Sequence, residues 1–406
     1  MMAALPVAAS IPTAAGAPPR VPARAPARAP ARALLVGTEL SFFSRPTMNY
    51  PPAESDWTTV TATLRRVGSR CYLFEDNSES TNANRFTDAD LDSMLNTFDL
   101  QIYPAVTAGF GAEPLPGNDI DGDERIYILF TNTVNQRGSG GYFDSSNERT
   151  PADLARVTSG VFKSNQHEMF YLTVPTAAQP ANTYYQQYRM GGLAHEFYHM
   201  INWNQHVKVR GQKTSEESWL NEGFAQVAED VAGFGAKYGL HSTKMRDYLA
   251  NPGGRSLTNW TFASADYGAA YLFCRYLADQ GVSPGAMTQT TLVGIPNVEA
   301  ATSLSFPNVF GNFAAALYLS NTTLATGSEF QFTTVNLRTT QPDNRVLTGP
   351  APFASSTVMM NVAGGTVAAW GMSYLVLDQG QGLTATLTLT DPTGNTLGAT
   401  VIRGTR

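Results

Sequence analysis

Cysteine is nearly absent from this chain: Cys71 and Cys274 are the only two among 406 residues. So few thiols exclude a cysteine-based zinc site and a disulfide-dense scaffold. Cys274 lies in an apolar helical run, which favours two buried thiols over the single bridge the pair permits. Lysine is scarce as well, 5 against 22 arginines, a bias we read as genomic base composition rather than chemistry. Charged residues make up only 15%, with 33 acidic against 27 basic and a formal charge of −6. A phosphate-binding surface needs a net basic patch, so nucleic acid is not expected as a partner. No run of about 18 uninterrupted apolar residues occurs, so no transmembrane segment is expected. The chain is instead 43% hydrophobic, enough for a sizeable core, at a length that points to two or three domains.

Composition divides the chain. Residues 1–33 are dominated by Ala, Pro and Arg and end in a Pro-Ala-Arg repeat from Pro22 to Arg32. Such a segment buries nothing and reads as a flexible linker or the remnant of a secretory signal. The first basic residue is Arg20, and Pro6 and Pro12 interrupt the apolar stretch that a signal requires. A secreted or cell-surface location is the expectation. Residues 34–321 are mixed, with strands expected at Arg70–Glu75, Arg125–Thr131 and Met169–Val174. Helices are expected at Thr87–Phe98, with Thr87 as N-cap, and at Tyr185–Gln205, Glu216–Phe234, Ala265–Gln280 and Phe310–Ser320. Beyond Asn321 threonine becomes abundant, and Glu329–Leu337 and Leu383–Thr390 alternate apolar and polar residues. That period of two predicts an antiparallel, sandwich-like β domain over 322–406. The fold class is therefore α+β with a C-terminal β-sandwich-like domain.

Chemistry concentrates in His195-Glu196-Phe197-Tyr198-His199. Histidines four apart on a helix share one face, where both imidazoles reach a single tetrahedral metal. Glu196 is offset by a quarter turn, where a general base for metal-activated water belongs. With 5 His and 15 Glu, shuffling would produce the pattern about two times in a thousand, so two ordinary helix histidines are a poor account of it. A hydrolytic zinc needs three protein ligands and one open position. The metzincin arrangement would place Gly at 202 and His at 205, but the chain has Asn202 and Gln205, with His206 one place off. Glu222, in Trp219-Leu220-Asn221-Glu222-Gly223-Phe224-Ala225 on the next helix, completes a His2Glu set.

These two segments resemble the gluzincin zinc metallopeptidases, and within them the hyicolysin-like family of secreted neutral metallopeptidases. The resemblance includes Asn118–Asn132, Gly140-Gly141-Tyr142-Phe143, Glu168–Leu172, His195–Asn202 and Trp219–Asp230, and more weakly Tyr267–Leu277 and Asn308–Asn321. It implies a catalytic domain with an α/β upper part and a helical lower part that cleaves protein or peptide substrates with one catalytic Zn2+. By resemblance His195, His199 and Glu222 bind zinc and Glu196 is the catalytic base. Aminopeptidase N-like enzymes share the Asn-Glu-Gly-Phe-Ala wording but carry an upstream Gly-x-Met-Glu-Asn segment; here Met190-Gly191-Gly192 precedes the helix without Glu-Asn. An endopeptidase is expected, with a zinc aminopeptidase as the alternative. Thermolysin-like enzymes place Asp four residues past the glutamate ligand, where this chain has Gln226, leaving Glu229 or Asp230 to orient an imidazole. Related enzymes steady the oxyanion with a downstream Tyr or His; Tyr267 is the candidate and His241 its rival.

Other features carry less. Asp119-Ile120-Asp121-Gly122-Asp123 invites Ca2+, but departs from the EF-hand spacing, so a solvated turn is the preferred reading. His167 and His206 read as ordinary polar residues, and Trp219 and Phe224 as packing between the glutamate and histidine helices. An edge strand around Glu168–Val174 is expected to pair with extended substrate. A non-catalytic cell-surface binding protein on a peptidase scaffold is the remaining alternative, against which the intact motif weighs.

Overall fold

The computed structural model describes residues 33–113, 119–157, 161–324, 327–352, 354–356, 367–377 and 398–399. The N-terminal half builds a six-stranded mixed sheet. Its elements in chain order are β1 (Glu39–Ser44), β2 (Thr58–Val67), β3 (Cys71–Asp76), α1 (Asp88–Thr97), α2 (Tyr103–Phe110), β4 (Ile126–Phe130), α3 (Asn132–Arg137), β5 (Gly141–Phe143), α4 (Pro151–Val157) and β6 (Met169–Leu172). The spatial order is β1-β2-β3-β4-β6-β5; β3, β4 and β6 run parallel, and β1, β2 and β5 pair antiparallel to their neighbours. The apolar runs of β3 and β4 follow from burial on both faces. Cys71, Leu73, Ile126, Ile128 and Phe130 face the helices, while Tyr72, Phe74, Tyr127 and Leu129 fill a second core beneath β1 and β2. Thr87 caps α1 as expected: its hydroxyl accepts the Asp90 N–H while the Asp90 carboxylate accepts that of Thr87.

The strand expected as a sheet edge at Glu168–Val174 is not one. Strand β6 is interior, flanked by β4 and β5, and the terminal strand is the three-residue β5. Three residues are too few to display a period of two.

The second half is helical: α5 (Thr183–Trp203), α6 (Ser218–Val231), α7 (Ser242–Leu249), α8 (Ser264–Asp279), α9 (Pro284–Thr288), α10 (Ile295–Thr302) and α11 (Phe306–Leu319). Asn182 caps α5 by accepting the Tyr185 N–H, and the helix buries Leu193, Phe197, Met200 and Ile201 against the sheet and α2. Helix α6 returns antiparallel to α5, because His195 meets Glu222 and Glu229 while His199 meets Asn221. Helix α8 lies against the far side of α6 at Gly223, where any Cβ would strike the Cys274 sulfur and come within 2.6 Å of the Ala270 carbonyl oxygen. Trp219 packs its ring against Phe273 of α8 and Phe306 of α11; Phe224 points toward Phe110 of α2, which itself meets Tyr198 of α5. Cys71 and Cys274 are separate buried thiols.

The expected strand at Glu329–Leu337 does not form. A short 3-10 turn at Ser328–Phe330 leads into irregular chain whose Phe332, Val335 and Leu337 anchor in the helical core. Its backbone donors are satisfied by side chains instead of a ladder: Ser320 for Phe332, Asp279 for Thr333 and Thr334, and Asn321 for Leu337. The alternation in sequence thus reflects anchoring, not pleat. Further on, β7 (Ala354–Ser356) and β8 (Leu375–Leu377) pair parallel, so the antiparallel β-sandwich is not seen among the described residues. Leu383–Thr390 and residues 1–32 lie outside them.

Candidate metal centre

Helices α5 and α6 bring His195, His199 and Glu222 together, with one donor atom from each lying within 4.8 Å of the others. His195 Nε2 is 3.2 Å from one Glu222 oxygen, and His199 Nε2 is 3.7 Å from the other. The outer face of each ring is held by a different acceptor. His195 Nδ1 meets Glu229 Oε1 at 2.9 Å, and His199 Nδ1 meets Asn221 Oδ1 at 3.0 Å. Both Nδ1 atoms therefore donate, which turns both Nε2 atoms toward the Glu222 carboxylate. Two imidazoles and a carboxylate, with the His195 Nε2 proton given up on binding, are the donor set of a catalytic zinc with an open position, so these residues fit the ion.

Position along α6 explains the support. Asn221 precedes Glu222 by one residue, and Glu229 follows it by seven, two turns along the same face. Glu229 thus takes the place left by Gln226, whose amide instead donates to the Tyr267 carbonyl. Asp230 points elsewhere, accepting from the Tyr271 hydroxyl and the Ala236 N–H.

Charges in the cleft are coupled. Burial would disfavour the ionised Glu229 carboxyl, but His241 and His195 outweigh it and hold the group near 2. Burial likewise works against a charged His195, yet the hydrogen bonds to Glu222 and Glu229 raise it to about 10. Glu196 is pushed up to about 8 by burial, reinforced by the negative charges of Glu222 and Glu229. Glu196 is enclosed because β5 lies directly upon it: a Cβ on Gly141 would sit 2.7 Å from Glu196 Oε1 and 2.8 Å from Leu172. Only glycine permits that approach.

Tyr267, in the first turn of α8, reaches the same cleft. Burial raises its phenol well above the ordinary value, and the charges of Glu222 and Glu196 add to the effect, so the hydroxyl remains a donor. Its ring packs edge-on against Trp260, with the Lys244 ammonium 4.9 Å from the ring centre. The rival His241 is completely buried behind Glu229, its ring 4.1 Å from that of Tyr271, and has no access to substrate. Tyr188, absent from the sequence reading, stands two turns before His195 on α5 with its hydroxyl beside Gly140. Its phenol is pushed up to about 12 by burial, with Glu229 and Glu196 contributing. The seven-residue spacing to His195 was the available signal.

Asp119, Asp121 and Glu168 also cluster. Asp119 accepts the N–H groups of Asp121, Gly122 and Glu124; Asp121 pairs with His167; and Glu168 accepts the Ile120 N–H and the Lys208 ammonium. These donors hold the turn before β4. His167 stacks on Tyr127 at 4.0 Å, and His206 is fully buried.

No protein-family model matches the chain. It is 31% identical over 222 residues to the neutral metalloprotease ShpI of Staphylococcus hyicus, a match that covers 50% of this chain and 46% of the relative. The chain thus spans about half the length of the curated relative it matches, and over that half it is similar to a metalloprotease.

Proposed function

We propose that this protein is a secreted zinc-dependent endopeptidase, a member of the hyicolysin-like gluzincins. The single observation that carries the reading is the convergence of His195, His199 and Glu222 with Glu196 on one cleft. His195, His199 and Glu222 hold Zn2+, which when bound acts as a Lewis acid that acidifies water and polarises the scissile carbonyl. Glu196 takes the proton of the attacking water and returns it to the leaving amine. Its enclosure by Gly141 raises its basicity toward the working pH, as such a shuttle requires. Tyr267 donates its phenolic hydrogen to the oxyanion. Glu229 and Asn221 keep the two imidazoles in their metal-binding orientation.

The substrate is an extended protein or peptide segment. Strand β5 has no outer strand partner among the described residues and abuts Glu196, so a chain added along it would run past the reacting groups. The test is elemental analysis of the purified protein together with casein hydrolysis before and after chelation. One zinc per chain and activity lost on chelation and restored by zinc are expected. A protein that carries no zinc and cleaves nothing would support the binding-protein alternative.

A further inference from the structure

The two histidines of the candidate zinc site are oriented by acceptors of different kinds. Glu229 is a carboxylate, which only accepts, so its partner His195 Nδ1 must carry a hydrogen. Asn221 is an amide, which presents an oxygen or an NH2 according to which way it is turned. Facing His199 with its NH2, it would force the hydrogen onto Nε2 and close that nitrogen to a metal. Something must therefore fix the turn of Asn221.

That something is visible one turn further along α5. Asn202 Nδ2 lies 2.9 Å from the same Asn221 Oδ1 that faces His199, and 2.9 Å from the Tyr198 hydroxyl. The Asn202 amide faces, with its other end, the backbone N–H of Glu216, whose nitrogen is 3.4 Å from Oδ1. A backbone N–H cannot turn. It requires the oxygen of Asn202, which sends the Asn202 NH2 toward Asn221, which requires the oxygen of Asn221, which leaves His199 Nδ1 as the donor. Glu216 is itself pinned, since its carboxylate accepts from the Gly294 N–H and from the Asn297 amide, both at 2.6 Å. Asn202 is completely buried and touches no substrate.

We propose that Asn202 is a positioning residue that sets the tautomer of His199: anchored on the Glu216 backbone, it turns the Asn221 oxygen toward Nδ1 and so keeps Nε2 free for a metal. The inference rests on His199 being a zinc ligand, as proposed above. In Asn202→Asp the anchor to Glu216 survives but the donor is lost. Asn221 then turns its NH2 to both neighbours, and His199 takes the Nε2–H form.

Two readouts test this. Long-range proton–nitrogen correlation spectra of the metal-free protein, labelled at histidine, report the tautomer of His199. Competition with a chelator reports the zinc dissociation constant. We expect Nδ1–H in the parent and Nε2–H in Asn202→Asp, with zinc affinity falling about 10–100-fold. Because a buried aspartate can compromise folding, the near-isosteric Asn202→Leu is compared in the parent and in an Asn221→Asp background. There the acceptor is a carboxylate and needs no orienting, so the leucine should weaken zinc binding in the parent and hardly at all beside Asp. An unchanged tautomer in Asn202→Asp, or the same loss from Asn202→Leu in both backgrounds, would overturn the proposal. A parent chain that binds no zinc would refute the peptidase reading instead, while the metal-free spectra would still decide the role of Asn202.

Discussion

His195 sits between two carboxylates, and its proton has a consequence for metal binding. Burial opposes the charged ring, but Glu222 and Glu229 hold it protonated up to about 10. A metal therefore displaces a proton at neutral pH. Zinc affinity should rise with pH, by about tenfold per unit for one proton released, as measured by chelator competition from pH 6 to 8; a flat profile would contradict the assignment. Removing the supporting charge should also be felt. Glu229→Ala is expected to weaken zinc binding about 10–100-fold and, because a buried charged partner is lost, to lower the denaturation midpoint as well; an unaltered dissociation constant would refute the supporting role. The meeting of His195, His199 and Glu222 was legible in sequence because helical spacing converts His195 and His199 directly into geometry. Its supports were not. Whether Glu229, Asp230 or neither reaches an imidazole depends on the rotation of α6 about its axis, and only the packed structure reveals that Asp230 turns toward Tyr271. The choice between Tyr267 and His241 likewise rests on burial, which no spacing encodes.

At the scale of elements, two glycines place the site. Gly223 follows Glu222 and lets α8, the bearer of Tyr267, rest on α6. A methyl group there meets the Ala270 backbone, which cannot rotate away, so Gly223→Ala should destabilise the protein by about 1–3 kcal/mol. Urea denaturation checks this, and an unchanged midpoint would show that the helices have room. Gly141 holds β5 against Glu196. A methyl group there meets the Glu196 side chain and the buried Leu172, so Gly141→Ala should lower kcat, by displacing Glu196, far more than it lowers the midpoint. Equal losses in both would point to a structural role alone. The long elements α1, α5, α6, α8 and α11 declare themselves by periodicity and caps. Strand β5 does not, since a Gly-Tyr-Phe triplet carries no pattern, and the edge was consequently assigned to the more conspicuous β6.

Across the whole molecule, the chain beyond Asn321 contributes to the packing of the helices that carry the candidate metal centre. Phe332, Val335, Leu337 and Leu347 belong to the core built by α5, α6, α8 and α11, and the Tyr276 hydroxyl donates to the Glu329 carbonyl. A chain ending at residue 321 should therefore unfold at distinctly lower urea than the full chain; equal midpoints would show that the segment is dispensable. The compositional shift at this point was plain in sequence, but periodicity alone could not distinguish a strand from irregular chain anchored at alternate residues. No helix among the described residues is long and apolar enough to cross a membrane. The antiparallel helix pair and β5 bring together Glu196, a His2Glu group that fits zinc and a strand with no outer partner among the described residues. The most direct test of that arrangement is mass-spectrometric mapping of the fragments released from an unfolded protein, comparing the parent with Glu196→Gln at equal zinc loading. Internal cleavages that disappear in the variant are the predicted result. Single residues trimmed from amino termini, or internal cleavage that persists undiminished in Glu196→Gln, would contradict it.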